Sequence, residues 1–223
     1  MTKLSAFAAL ALVVVAPAVL AQQDWKAPRV VTWVCSGCHG IDGNAQRPDT
    51  PRLAGQNPGY LQRQMAAFAA APAPASIEIP TWIAAPAPLP ANARGGAVAS
   101  RYMIGLAHAA SEAEAKAAAD WYAARKPGPG RPAADAALAE RGRALYTQGD
   151  PAAGVVACQD CHGANGRGVA DFPALAGQNA AYLERQLQGF VDGARPLGVT
   201  MHGIARGLTA DERRALAVYA QSL

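Results

Sequence analysis

Cys35-Ser36-Gly37-Cys38-His39-Gly40 returns later in the chain as Cys158-Gln159-Asp160-Cys161-His162-Gly163. In both copies a histidine directly follows the second of two closely spaced cysteines. On a helical turn this spacing brings both thiols to one edge of a planar group and lets the imidazole reach its centre. Cys-x-x-Cys-His is the attachment signature of c-type haem. The sequence therefore predicts two covalently bound haem c groups, with thioether links at Cys35, Cys38, Cys158 and Cys161 and iron ligands His39 and His162.

The two halves of the chain resemble each other well beyond the cysteines. The stretch Pro51-Arg52-Leu53-Ala54-Gly55-Gln56-Asn57 recurs as Pro173-Ala174-Leu175-Ala176-Gly177-Gln178-Asn179, and Tyr60-Leu61-Gln62-Arg63-Gln64-Met65 recurs as Tyr182-Leu183-Glu184-Arg185-Gln186-Leu187. Each half then carries a Met-x-Gly sequence, followed by a Ser/Thr-x-x-Glu capping box at Ser111 or Thr209. This internal repeat predicts two units of the same architecture.

A second iron ligand has to approach each haem from the opposite side. A methionine thioether suits this role because it is soft and uncharged, which favours reduced iron. Met103 and Met201 occupy matching places in the repeat and are the predicted ligands. Met65 competes with Met103, but its repeat partner is Leu187, which cannot bind iron. The remaining histidines have no histidine at the matching repeat position and are predicted to lie at the surface or at the rim of a pocket: His108 and His202.

Paired cysteines have other roles that compete with haem attachment. They form disulfides in oxidising compartments, redox centres of the thioredoxin kind, and zinc sites. A thioredoxin-like centre requires a βαβ context, which the sequence does not indicate. A zinc site requires neither a histidine after each pair nor matching methionines. Only the haem interpretation accounts for all of these features together.

The apolar pattern predicts an all-α fold. Apolar and aromatic side chains follow a helical stripe after Tyr60 and again after Tyr182. Segments rich in alanine, leucine and glutamate predict three further helices, at Ala134 to Thr147, Ser111 to Ala124 and Thr209 to Ser222. No segment alternates in the manner of a strand.

Repeated proline and glycine between the halves forbid a helix or a strand and predict a linker at 127–133. The linker separates a first domain at 22–126 from a second at 134–223, each small enough to need a cofactor to complete its core. The first domain contains a Pro-rich insertion at 71–96. Three roles are open for this insertion: it covers the first haem, it forms a docking surface, or it is a packed surface loop.

The N-terminus has the pattern of a secretory signal peptide over residues 1–21. Lys3 is followed by the apolar stretch from Ala6 to Val15 and by the small-residue cleavage sequence Val19-Leu20-Ala21. The alternative of an uncleaved anchor is disfavoured because the apolar stretch is shorter than the ~20 residues that a spanning helix needs. The formal net charge of +4 is weak and argues against a nucleic-acid partner.

On the repeated motifs above, the sequence resembles the dihaem class I cytochromes c of the c-four type, which are found in the bacterial periplasm. The resemblance covers nearly all of the mature chain except the insertion. It implies two tandem cytochrome c-type domains packed about a pseudo-twofold axis, with the haem propionates near their interface. It associates the two Met-x-Gly sequences with loops. Gly142 and Tyr146 match helix-crossing positions of the second domain, and the first domain has no evident equivalent.

The resemblance also implies roles for residues outside the cysteine motifs. The carbonyls of Pro51 and Pro173 would accept the free ring N–H of His39 or His162. The side chains of two leucines would pack on the haem faces: Leu53 and Leu175. The prolines alternatively serve only to stiffen a loop.

These predictions describe a periplasmic electron carrier, either free or loosely attached to the membrane. Its redox partners would be a donor, either a dehydrogenase or a quinol-oxidising complex, and an acceptor, either a terminal oxidase or a reductase. No catalytic residue is predicted because both axial positions of each iron are filled. Two alternatives are a cytochrome subunit of a periplasmic dehydrogenase complex and a dihaem enzyme such as a thiosulfate dehydrogenase, which would need a displaceable iron ligand. The sequence does not define an oligomeric state.

Overall fold

The computed structural model describes residues 26–72, 96–195 and 198–223, and its regular structure is helical. The first half contains α1 (Ser36–His39), α2 (Pro58–Ala69), α3 (Gly96–Ala109) and α4 (Glu112–Ala123). The second half contains α5 (Ala136–Gln148), α6 (Gln159–His162), α7 (Ala180–Val191), α8 (Val199–Gly207) and α9 (Ala210–Ser222). A π-helical turn, Val31–Cys35, leads into α1, and a 3₁₀ turn, Pro151–Ala153, follows α5. Within these ranges the only β pairing is an isolated bridge between Asp150 and Val155. The predicted all-α class is confirmed.

The helices α4 and α9 begin where the capping boxes predicted. The hydroxyl of Ser111 accepts the backbone N–H of Glu114, whose carboxylate accepts the N–H of Ser111 in return. Thr209 and Glu212 form the same pair at the start of α9. Both boxes satisfy backbone donors that the first turn of a helix would otherwise leave unpaired.

The two Met-x-Gly sequences lie in helices, so their association with loops is wrong. Met103 lies in α3 and Met201 lies in α8. A glycine inside a helix costs only about 1 kcal/mol relative to alanine, and tertiary packing outweighs that cost here. The helix α3 packs against α2, and α8 packs against α7, which buries small residues such as Ala107 and Ala205.

The core of the second half forms where α5 crosses α9. A β-carbon added at Gly142 would lie 2.1 Å from the carbonyl oxygen of Ala215, so the two backbones are in direct contact at the crossing. Beside this crossing, Tyr146 is 1% exposed and its ring lies 5.4 Å from that of Tyr219. The glycine is therefore required by the close approach of the two helices.

The first half has a much shorter counterpart of this crossing. Val31, in the π-helical turn, is completely buried and packs in one cluster with Ala119 and Tyr122 of α4. One helical turn thus takes the place that a long N-terminal helix occupies in the second half. Among the described residues, the first half forms this part of its core with fewer residues than the second half uses.

Between Ala123 and Ala136 the chain forms neither helix nor strand. The segment is held in place on both sides: Asn44 accepts the N–H of Gly128, and Arg131 donates its N–H to the carbonyl of Gln221. The predicted signal peptide and almost all of the 71–96 insertion lie outside the described residues. In the described ranges, no helix combines the length and the hydropathy needed to cross a membrane.

Candidate haem sites

The two cysteines and the histidine of each motif lie on one tight helical turn. Cys35 ends the π-helical turn, and Cys38 and His39 lie in α1. Cys158 caps α6, which contains Cys161 and His162. All four cysteines are half-buried free thiols. A cavity of about 340 Å³ opens beside Cys38. Each motif thus places its two cysteines and its histidine on one helical turn.

Both histidines are buried and held by one hydrogen bond each. His39 Nδ1 lies 2.9 Å from the carbonyl oxygen of Pro51, and His162 Nδ1 lies 2.8 Å from that of Pro173. A carbonyl only accepts, so Nδ1 must carry the proton and Nε2 keeps its lone pair for a metal. Burial also lowers the pKa of both imidazoles and so favours the neutral, metal-binding form. The site chemistry fits a c-type haem iron.

The thiols do not suit a redox-active pair of the thioredoxin kind. Burial raises the pKa of Cys35 and of Cys158 to about 11, so both are protonated at neutral pH. A thioredoxin-like centre requires the opposite shift. Among the described residues, no three histidine, cysteine, aspartate or glutamate side chains are grouped as a metal site requires. The raised pKa values of Cys35 and Cys158 therefore argue against a redox-active pair.

Each histidine is followed by a glycine whose carbonyl is bound by a buried tyrosine. Tyr122 of α4 donates to the carbonyl of Gly40 at 3.1 Å, and Tyr146 of α5 donates to that of Gly163 at 2.7 Å. The two glycines are equivalent in the repeat, but the two tyrosines are not. Sequence comparison of the halves did not identify Tyr122, because its partner in the second half comes from a different helix.

The predicted methionines and leucines lie on elements that surround the motifs. Met103 in α3 and Met201 in α8 are both half-buried, as is Met65 in α2. Leu53 packs against the first core and Leu175 against the second. The two remaining histidines bind carbonyls through Nε2: exposed His108 binds that of Ala71 and half-buried His202 binds that of Arg195.

The loops that lead to Pro51 and Pro173 face each other across the interface between the halves. Arg63 donates to the carbonyl of Asp171 at 2.8 Å, and its repeat partner Arg185 donates to the carbonyl of Asp49 at 2.5 Å. These bonds are reciprocal, as a pseudo-twofold axis requires. Each aspartate stands just before the proline that holds a histidine. The two motifs are therefore positioned on either side of a common interface.

Two buried histidines beside paired thiols, repeated in a pair of helical domains, define a dihaem protein of the c-type cytochrome class. The Cytochrome c family model matches residues 139–223. Cytochrome c4 from Azotobacter vinelandii is 35% identical over 195 residues, which cover 85% of this chain and 84% of that protein. A "Thiosulfate dehydrogenase electron acceptor" from Thiomonas intermedia is 35% identical and covers 92% of this chain and 88% of its own length.

A crystal structure of reduced recombinant cytochrome c4 from Pseudomonas stutzeri aligns with a TM-score of 0.70 at 34% identity, covering 86% of this chain and 94% of that one. The chain belongs to the cytochrome c4 family. It binds haem c covalently and is an electron-transfer protein.

Proposed function

We propose that the chain is a periplasmic electron carrier with one haem in each half. His39 and Met103 bind the first iron, and His162 and Met201 bind the second. The thioethers form at Cys35, Cys38, Cys158 and Cys161. The observation that carries this proposal is the repeated geometry of the two sites, in which each buried histidine is oriented by one proline carbonyl at 2.9 or 2.8 Å.

The residues of the chain have three tasks in this function. A bound haem supplies one-electron chemistry. The carbonyls of Pro51 and Pro173 keep each imidazole in one tautomer and one orientation, so that little reorganises when the charge changes. Leu53 and Leu175 keep the haem faces dry. The reciprocal contacts between the loops hold the two sites at a fixed separation, which favours electron exchange between them.

The assignment of Met103 rather than Met65 has a direct test. Met103→Leu should remove the far-red methionine-to-iron band of one haem in the oxidised holoprotein and allow carbon monoxide to bind to the reduced form. Met65→Leu is the matched control and should leave both properties unchanged. The reverse result would assign the ligand to α2. Loss of a band in neither variant would refute methionine ligation at the first site.

The donor and acceptor are proposed from the relatives and the site together. The match to a "Thiosulfate dehydrogenase electron acceptor" supports a dehydrogenase of that kind as donor. The cytochrome c4 relatives support the carrier role, with a quinol-oxidising complex as the other donor and a terminal oxidase or reductase as acceptor. Stopped-flow reduction of the oxidised holoprotein separates the donors: thiosulfate with its dehydrogenase is one arm, and quinol with its oxidising complex is the other.

A rapid, saturable reduction in one arm identifies the donor. Failure of both arms, together with co-purification of a separate flavin or molybdenum subunit, would favour a permanent subunit of another dehydrogenase. Thiosulfate oxidation by the purified chain alone would overturn the carrier role in favour of an enzyme. Export is tested separately, because the periplasmic protein should begin near Gln22 in its N-terminal sequence.

A further inference from the structure

Two buried glutamines cross the interface between the halves at the peptides that hold the histidines. The carbonyl of Pro51 accepts from His39, and the N–H of the same peptide unit, on Arg52, donates to Oε1 of Gln178 at 2.8 Å. Gln178 Nε2 then donates to the carbonyl of Arg52 at 2.9 Å. The side-chain amide from the second half therefore binds the backbone that orients the histidine of the first.

The same arrangement occurs in the opposite direction. The carbonyl of Pro173 accepts from His162, and the N–H of the same peptide unit, on Ala174, donates to Oε1 of Gln56 at 2.8 Å. Gln56 Nε2 donates to the carbonyl of Ala174 at 3.0 Å. Both glutamine side chains are buried, with 6% of each residue exposed. The two arrangements, each of a glutamine, a backbone peptide and a histidine, are equivalent in the repeat and span the interface in opposite directions.

We infer that Gln178 and Gln56 are positioning residues, each for the iron-binding histidine of the opposite half. This inference rests on the proposed assignment of His39 and His162 as iron ligands. Hydrogen bonds in a chain polarise one another, so an acceptor at the N–H of a peptide makes its carbonyl a stronger acceptor. A stronger acceptor at Nδ1 raises the basicity of the imidazole. Each glutamine thereby stabilises the oxidised state of the haem in the other half.

A change of midpoint potential in the half opposite the substitution distinguishes this role from a purely structural contact between the halves. Replacement of Gln178 by methionine, which has similar length but no amide, should raise the midpoint potential of the first haem and leave that of the second nearly unchanged. Gln56→Met should do the reverse. The expected size is about two- to threefold in the equilibrium constant for reduction, as one polarising hydrogen bond is modest. Gln64→Met is the matched control, since it removes a contact across the interface, the bond from Arg195 at 2.7 Å, that involves neither histidine-bearing peptide.

The experiment is a redox titration of the complete holoprotein, followed by NMR of the reduced-state Nδ1–H resonances of His39 and His162. The loss of each resonance during the titration reports the potential of its own haem, and its chemical shift in the reduced state reports the strength of its own hydrogen bond. Movement of the His39 resonance in Gln178→Met, and of the His162 resonance in Gln56→Met, supports the inference. A shift in the same half as the substitution, an equal shift in both halves, or a result that matches Gln64→Met would overturn it.

Two further measurements separate the glutamine role from a folding defect and from a wrong ligand assignment. If Gln178→Met does not yield folded holoprotein, Gln178→Ala is titrated in its place with the same expected direction. The wild-type protein tests the assignment on which the inference rests. If its His39 resonance did not respond to oxidation of either haem, the proposed ligand set itself would be refuted, and the glutamine inference with it.

Discussion

The carbonyls of Gly40 and Gly163 each accept a hydrogen bond from a tyrosine, but the two tyrosines come from helices at different places in the repeat. Tyr122 reaches the first carbonyl from the helix that follows its motif, and Tyr146 reaches the second from the helix that precedes it. Both tyrosines are almost completely buried. Burial raises the pKa of both phenols, so each remains a donor over the whole range in which the protein functions. The first half preserves the hydrogen bond although its described residues contain no long helix before the motif.

Removal of the Tyr122 hydroxyl should weaken the first half. Tyr122→Phe removes one of the donors to the carbonyl of Gly40, which keeps the N–H of Gly43, so the expected cost is about 1 kcal/mol of unfolding free energy. Tyr146→Phe should cost about the same in the second half. Denaturant unfolding of the holoprotein at constant haem content provides the measurement.

The control for both tyrosines is Tyr219→Phe. The Tyr219 ring packs on Tyr146, and no hydrogen bond of its hydroxyl occurs among the described residues. Its loss should therefore have little effect. An equal loss in all three variants would show that the hydrogen bonds to the two glycine carbonyls make no specific contribution to stability.

The crossing of α5 and α9 is the element on which the second half depends most. A methyl group at Gly142 would overlap the carbonyl of Ala215. Gly142→Ala should therefore destabilise the protein by about 2–3 kcal/mol, as overpacking forces the helices apart. Gly189→Ala in α7 is the control, because its added β-carbon would meet only ordinary contacts at 3.6 Å or more.

The control should be neutral or stabilising by up to about 1 kcal/mol, the helix preference of alanine over glycine. Guanidinium unfolding followed by far-ultraviolet circular dichroism compares the two variants. If Gly142→Ala proved as stable as Gly189→Ala, the close crossing would not exist in solution.

The start of α9 should make the protein sensitive to acid. The N–H of Thr209 is the largest cause of a lowered pKa at Glu212, followed by the Thr209 hydroxyl and Arg141. Since the folded-state pKa lies below the ordinary value of 4.5, the carboxylate stabilises the fold above pH 4.5. That contribution is lost as the pH falls through the folded-state value.

Glu212→Gln should be less stable than the wild type at pH 7, and the difference should shrink below pH 4.5. Thermal unfolding between pH 3 and pH 7 measures it. Glu184→Gln, at an exposed position on α7, is the control for removal of one charge. A constant difference between wild type and Glu212→Gln at all pH values would contradict the contribution of the ionised carboxylate.

Local signals predicted the helices well, because capping boxes and apolar stripes depend on residues a few positions apart. The starts of α4 and α9 agree with the sequence for this reason. The positions of Met103 and Met201 inside helices were not predicted, because packing against α2 and α7 decides that conformation. The role of Tyr122 was hidden as well, since it joins residues far apart in the chain.

At the scale of the whole molecule, the two halves are held together by residues that belong to the internal repeat, although the repeat alone did not indicate their contacts. The repeated Gly-Gln-Asn and Tyr-Leu-x-Arg sequences supply reciprocal contacts between the halves, through Gln56, Gln178, Arg63 and Arg185. Sequence alone indicated duplication, but it did not show that duplicated residues bind each other's backbone. These contacts form only when the two halves pack against each other about a pseudo-twofold axis.

Asn179 should be the most sensitive single position in this interface. It is completely buried, and its amide donates to the carbonyls of Arg47, at 2.7 Å, and Thr50 in the other half. Asn179→Ala removes the amide donor from the carbonyl of Thr50 and one of the donors from the carbonyl of Arg47, which keeps the N–H of Thr50. Because the amide is completely buried, the expected cost is about 1–3 kcal/mol. The same loss weakens the association of the halves, so calorimetry should show the unfolding transition broaden or divide.

Asn165→Ala is the matched control, because Asn165 is exposed and bonds only within its own loop, to the N–H of Arg167. It should leave a single transition at nearly the wild-type temperature. A divided transition in Asn179→Ala with both haems retained would mean that the halves fold separately and that the interface serves mainly to fix the sites relative to each other. A single transition at lower temperature would mean instead that neither half is stable alone, and that the interface is part of one cooperative core.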